Sequence, residues 1–209
     1  MRNLPHCTLR QDPDAGYLLF WPLFGIRYYL IEHFHPAQSY HVMYCALDDR
    51  IPFLEGFVIP YLMWHVYIIG THLYCYFRDR EAFRFYSRYL IVSITISTVI
   101  FLLYPSCQEL RPEVYPRENL LTGLVAWLHS FDTNTNVCPS EHMIGSVGAW
   151  LALRRCRNWK GSPRLAGALI LSVLTALATV FLKQHSVIDL MAAVPVCILA
   201  AVIARRNKR

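Results

Sequence analysis

Charge is scarce in this chain. Lys, Arg, Asp and Glu make up 16% of its 209 residues, whereas 55% are hydrophobic and the mean hydropathy is +0.30, a profile unusual for a water-soluble globule and ordinary for a membrane protein. No CxxC pair and no even framework occurs among the seven cysteines (positions 7, 45, 75, 107, 138, 156 and 197), which removes a zinc ribbon and a disulfide scaffold. Mostly free thiols are expected, with Cys107 and Cys138 sharing one loop where an oxidising compartment would let them pair. No Ser/Gly-rich linker, repeat or low-complexity tract divides the sequence, so one domain over residues 1–209 is expected. No small-residue cleavage site follows the first apolar run, so a removable signal peptide is not expected.

What the sequence does have is apolar length. A bilayer-crossing helix needs about 20 mostly apolar residues, and six segments approach that: 17–34, 52–77, 87–104, 139–156, 165–182 and 186–204. The fourth starts with polar residues, and Pro139 suits a first helical position because its missing amide proton has no partner there anyway. The ten residues 120–129 ("LLTGLVAWLH") are too few to cross and read as a short interfacial or re-entrant helix. The expected fold is therefore all-α, a six-span transmembrane bundle with a short helix between spans three and four.

Basic residues orient it. With both termini inside, 15 of the 20 Lys and Arg residues fall in inner segments, four (Arg50, Arg111, Arg117 and Lys183) fall outside, and Arg27 lies within the first span. The net charge of +6 is thereby accounted for by topology, and nucleic acid is not an expected partner. The loop between spans three and four and the turn between five and six face the extracytoplasmic side. Elsewhere, Asp48 and Asp49 read as a solvated loop, and Glu55 is left without a role. His65 and His72 read as packing residues, and Trp21, Trp64, Trp127 and Trp150 as interface or packing aromatics that imply no cofactor.

The outward segments carry the chemistry. "LKQHSVID" (182–189) places His185 and Asp189 four residues apart, close enough on a helix to share a face. An aspartate that accepts one imidazole proton fixes the tautomer and leaves the other nitrogen free as nucleophile or base. Each residue has an ordinary reading as well: His185 as a satisfied interfacial side chain, Asp189 as a snorkelling carboxylate, Lys183 as a membrane-edge anchor, Arg111 as loop solvation and Ser140 as a helix-start residue. Their convergence is the signal, because Arg111, Lys183, His142 and His185 at one end of a bundle form a set of nitrogen donors suited to a phosphate. The set His142, His185 and Asp189 also matches a two-histidine, one-carboxylate metal site, which stays open as an alternative.

Three blocks carry a family resemblance: "RP" at 111–112, "DTNTNVCPSEH" from Asp132 to His142, and "KQHSVID" at 183–189. Together they resemble the signature of the type 2 phosphatidic acid phosphatase superfamily of membrane lipid phosphatases and phosphotransferases, over roughly the C-terminal half. The resemblance implies His185 as the nucleophile that forms a phosphohistidine, Asp189 as its orienting partner and His142 as the acid that protonates the leaving oxygen. It further implies Arg111, Ser140 and Asn136 as phosphate ligands, with no metal and no cofactor. Two family cations are missing, since Tyr104 stands where a lysine is usual and Ala178 and Thr179 stand where Ser-Arg is usual. Lys183 and Arg117 are the cations available to replace them. The block beginning at Asp132 and Asn136, together with these losses, looks closest to the branch that contains inositol phosphorylceramide synthases. The function expected is hydrolysis of lipid phosphate esters at the extracytoplasmic face, with the lipid bilayer and a lipid phosphate as partners. The alternatives are transfer of a phospho-head-group between lipids and a non-enzymatic scaffold or transport protein.

Overall fold

A computed structural model describes residues 12–34 and 37–206. Cys7 and the basic residues Arg2, Arg10, Lys208 and Arg209, which the topology tally places inside, lie outside the described residues. The protein is mostly helical, at 72%, and its contacts divide it into two units, Met1–Pro36 and Ala37–Arg209.

In the first unit a 3-10 turn, Ala15–Leu19, runs into helix α1, Phe20–Phe34. Phe20 packs its ring on Trp21 and Phe24, with centroids 5.1 and 5.8 Å away, so the start of α1 presents an aromatic cluster.

The second unit holds α2 (Val58–Arg78), α3 (Arg80–Leu103), α4 (Leu120–Phe131), α5 (Glu141–Arg155), α6 (Pro163–Phe181) and α7 (Val187–Arg206). A feature absent from the sequence reading is a two-stranded parallel sheet, β1 (His41–Val42) against β2 (Ser106–Cys107), with Cys107 also bridging to Thr135. These pairings gather three distant loops at one end of the helices. Each of the six apolar segments contains a helix, and three of them, α3, α6 and α7, are long and apolar enough to cross a membrane. Helices α1 and α5 have 15 residues each, fewer than the roughly 20 a perpendicular crossing needs.

Burial on α6 is inverted relative to a soluble protein. Along α6, Ser172, Thr175, Ala178 and Thr179 are buried while Leu169, Ile170, Val173 and Leu177 are exposed. Along α3 the buried face mixes hydroxyls and rings, Ser87, Ser93 and Ser97 lying among Phe83, Tyr86, Tyr89 and Phe101, while Ile91, Val99 and Leu103 are exposed. Water would reject that arrangement, whereas hydrocarbon accepts it, because helices in lipid associate through small and hydroxyl side chains. The buried hydroxyls are satisfied locally: Ser87 Oγ donates to Phe83 O at 2.8 Å, Ser93 to Tyr89 O at 2.7 Å and Ser172 to Ala168 O at 2.9 Å. Length, hydropathy and this pattern together point to a membrane protein.

Helix boundaries follow from short polar side chains. Asp79 alone separates α2 from α3, its extended backbone (φ −154°) breaking the helix while Oδ1 accepts from Ala82 N at 3.1 Å. Asn119 caps α4 by accepting from Thr122 N at 3.0 Å, and Ser162 precedes Pro163 at the first turn of α6. At α5 the cap is Ser140, so the helix begins at Glu141 and Pro139 lies ahead of it instead of occupying the first helical position. Helix α5 packs against α2, α3, α6 and α7, and its small residues allow it. A Cβ at Gly148 would stand 2.3 Å from the ring of Tyr89, and one at Gly145 would stand 3.0 Å from the ring of Trp64.

Candidate functional site

Helix α6 ends in a tight turn that begins the site. Leu182 N and Lys183 N donate to Ala178 O and Val180 O, and Thr179 O accepts from both Gln184 N (2.8 Å) and His185 N (3.1 Å). Lys183 takes the left-handed conformation (φ 59°) that a helix end usually gives to glycine. A lysine there carries a modest steric cost, and its side chain supplies an offsetting contact: Nζ donates to Asp48 O at 2.7 Å and to Ile51 O at 2.6 Å. Burial pushes this ammonium below its ordinary pKa.

Helix α7 then starts with a reciprocal cap. Ser186 Oγ accepts from Ile188 N at 3.2 Å, and Asp189, three residues on, reaches back so that Oδ2 accepts from Ser186 N at 3.0 Å. The same Oδ2 accepts from His185 Nδ1 at 3.1 Å. The pairing of His185 with Asp189 therefore does not come from a shared helix face, because His185 precedes the helix; it comes from an aspartate folded back over the helix start. Asp189 is fully buried, His185 is 8% exposed, and Asp189 Oδ1 has no hydrogen-bond partner among the described residues. With Nδ1–H given to the carboxylate, the proton-free nitrogen of His185 is Nε2.

His142, in the first turn of α5, brings its ring to 5.6 Å from that of His185, edge to face. Its own position is set by rings on α2: Trp64 at 4.3 Å and Tyr61 at 4.5 Å between centroids. Ser140 is fully buried; its Oγ accepts from Met143 N at 3.5 Å, and its N donates to Asp189 O at 3.1 Å, which ties the start of α5 to the start of α7.

Arg111 lies beside this pair through Gln184. Its Nη2 donates to Gln184 Oε1 (2.5 Å), Asp132 O (2.9 Å) and Thr133 O (2.8 Å), and Nη1 donates to His129 O (2.9 Å). The guanidinium thus joins the loop after α4 to the residue next to His185. Asn136 adopts φ 52° and donates its N to Ser106 O at 2.5 Å, which places it where the small sheet meets the loop leading to Ser140. Arg117 is held by Glu55 in a forked ion pair (2.8 and 2.6 Å) that Asn119 joins at 3.0 Å, so Glu55 anchors the loop entering α4. The structure therefore brings His142, His185, Asp189 and Ser140 together, sets Arg111 one residue away through Gln184, and directs Lys183 and Arg117 to other partners. Cys107 and Cys138 are both free thiols. Among the described residues no group of three or more His, Cys, Asp or Glu side chains is arranged to hold a metal ion.

Several residues that support the site carry no local sequence signal. Asp48, expected in a solvated loop, is 2% exposed: Oδ2 accepts from Ser186 Oγ at 2.6 Å and from Cys45 N at 2.8 Å, and Oδ1 accepts from Val187 N at 2.9 Å. Burial alone would raise its carboxyl pKa, but these donors outweigh it and hold the group below the ordinary range. Asp49 does remain exposed, bonded to Tyr44 Oη. Tyr61 Oη donates to Asp132 Oδ2 at 2.7 Å. One signal was available in the sequence: Ser-x-x-Asp ahead of an apolar run at 186–189 marks a helix start at Ser186.

His129, at the end of α4, is also built in. Nε2 faces Leu182 O at 3.1 Å and Nδ1 faces Tyr115 Oη at 2.9 Å. A carbonyl can only accept, so Nε2 carries the proton and Nδ1 accepts from the phenol. Burial, and then the charge of Arg111, depress its pKa to about 4. Folding thus favours the neutral ring, and its contribution to stability is complete above the unfolded value of about 6.5 and declines as pH falls from there toward 4. The thermal midpoint of the wild type is expected to fall over that interval more steeply than that of His129→Gln; parallel curves would show that this histidine does not titrate with unfolding.

Comparison with family models, curated proteins and solved structures gives no match to this chain.

Proposed function

We propose that this chain is a membrane-embedded phosphatase of lipid phosphate esters, a member by motif of the type 2 phosphatidic acid phosphatase superfamily. In this reading the six apolar segments 17–34, 52–77, 87–104, 139–156, 165–182 and 186–204 cross the bilayer, α1 and α5 together with the residues that precede them, the termini are cytoplasmic and the histidine pair lies at the extracytoplasmic face. The observation that carries it is the buried His185–Asp189 hydrogen bond of 3.1 Å with the ring of His142 5.6 Å from that of His185. A free Nε2 held beside a second imidazole suits in-line attack on phosphorus with a proton source on the leaving side.

The step is an exchange of bonds. His185 Nε2 forms a bond to phosphorus as the phosphorus–oxygen bond to the lipid alcohol breaks, and His142 gives its proton to the departing oxygen. Asp189 holds Nδ1–H and offsets the positive charge that develops on the ring. Water, deprotonated by His142, then displaces the imidazole and releases phosphate. Ser140 N–H and Arg111 tie the three segments that bear these groups.

Product analysis tests the reading. Purified wild-type protein given mixed phospholipids should yield free phosphate and dephosphorylated lipid by mass spectrometry. A new head-grouped lipid would instead identify a transferase, and loss of activity with chelator, restored by a divalent ion, would identify a metalloenzyme. The acid role of His142 has its own test. His142→Ala is expected to slow alkyl phosphates by about 10²- to 10⁴-fold, the usual size of general-acid catalysis, and aryl phosphates much less. Equal slowing of both substrates would assign His142 to binding.

A further inference from the structure

Helices α5 and α7 hold the histidine site at their N-terminal ends, and at their C-terminal ends they enclose, with the start of α3, a cavity of about 1080 Å³. Seven of the side chains that line it are Lys or Arg and two are acidic, Asp79 and Glu81. Asp79 is held in place by the backbone, Oδ1 accepting from Ala82 N and Oδ2 from Arg157 N at 3.2 Å, and with Glu81 it offsets only part of the positive charge. Among the described residues, Arg154, Arg157, Lys160 and Arg205 make no hydrogen bond or ion pair to a carboxylate through their side chains.

A preference for basic residues at one membrane face explains their number but not their convergence. Like charges would spread apart on a convex surface, whereas here three helix ends and apolar walls from Ala82, Phe85, Leu151 and Ala204 hold them around one concavity. The wall also orients them: Arg155 stacks its guanidinium 3.4 Å above the Phe85 ring while Nη1 donates to Leu151 O at 2.9 Å. Low-dielectric walls focus a field of one sign, and guanidinium forks match phosphate oxygens in geometry. The start of α3 adds no free positive end, because Asp79 caps it and Glu81 lies in its first turn, and the C-terminal ends of α5 and α7 face their own last-turn arginines.

We infer that this cavity binds a multiply charged phosphate group. One phosphate is small for its volume, which lies at the upper end for ligand pockets. Two phosphates on one molecule answer more of the charge of seven cations and two acids than a single phosphate does. A phospholipid headgroup of the adjoining leaflet and a soluble polyphosphate both offer that chemistry, and basic pockets between membrane helices bind such headgroups. The inference is independent of the histidine site and its proposed reaction.

Purified full-length protein in phosphatidylcholine nanodiscs, with and without cardiolipin, and the same protein in detergent titrated with inorganic pyrophosphate, test it. The variant pair is Arg154→Gln with Arg205→Gln, both exposed positions, and the control is Arg50→Gln at the other end of the molecule. At about fivefold per charge, the double variant is expected to bind about 25-fold more weakly, while the control binds as wild type. Retention of cardiolipin that pyrophosphate does not displace assigns the site to lipid. Pyrophosphate binding without cardiolipin retention assigns it to a soluble anion. Should the double variant lose its fold, Arg157→Gln with Lys160→Gln, also exposed, serves in its place. Failure of wild-type protein to hold either probe, or equal binding by double variant and control, overturns the inference.

Discussion

His185→Ala is expected to reduce turnover of lipid phosphate on the order of 10⁶-fold, the scale on which an enzyme loses its nucleophile, with little change in folding. The separation of effects follows from the contacts. Among the described residues the ring of His185 makes one hydrogen bond, to Asp189 Oδ2, and alanine preserves the backbone bond from residue 185 N to Thr179 O. Asp189 Oδ2 would still accept from Ser186 N at 3.0 Å, so the start of α7 keeps its cap. The comparison with Asp189→Asn sharpens the result. That variant retains an acceptor for Ser186 N but weakens the hold on the Nδ1–H tautomer, and a loss on the order of 10⁴-fold is expected. Size-exclusion profile and thermal midpoint, measured beside phosphate release, decide the matter: activity surviving in the alanine variant would remove the nucleophile role, and collapse of the fold would make the histidine structural.

The apolar runs are legible in the sequence because their signal is local. Twenty adjacent side chains must all tolerate the same surroundings, and each expected segment corresponds to a helix whose limits lie within about three residues, except that α2 starts late and α3 starts at Arg80, well ahead of residue 87. The segment at 52–77 starts late, at Val58, because Pro52 to Phe57 serve an extended stretch and a 3-10 turn whose Glu55 is committed to Arg117. The His185–Asp189 contact is legible from spacing, yet for a different physical reason than a shared face, since the capping geometry of Ser186 and Asp189 produces it. The proximity of His142 is legible only as a consequence of topology, and the rings that position it, Tyr61 and Trp64, belong to a helix that carries no motif. The loop at 45–51 is not legible at all. A pair of aspartates in a polar stretch looks the same whether water or a helix end 138 residues away receives the charge.

That loop supplies the second large effect. Asp48→Ala is expected to destabilise the protein by about 3 kcal/mol and to lower turnover with it, because three donors lose their acceptor at once. Ser186 Oγ (2.6 Å) is fully buried and Val187 N (2.9 Å) is an orphan donor of the α7 start, so Asp48 serves that helix as a cap from a remote segment. Cys45 N (2.8 Å) is the third donor and keeps the loop itself folded. Lys183 closes the arrangement in the opposite direction by donating to Asp48 O and Ile51 O, so the loop and the turn each hold the other. Because the folded carboxyl titrates below its ordinary value, the contribution is complete above about pH 3.8 and is lost as pH falls through the lower folded value. Asp48→Asn keeps one acceptor oxygen and should recover part of the loss. Asp49→Ala, at an exposed neighbour, should change neither midpoint nor turnover. If Asp48→Ala and Asp49→Ala prove indistinguishable in thermal unfolding at neutral pH, the turn bearing His185 holds its shape without this loop.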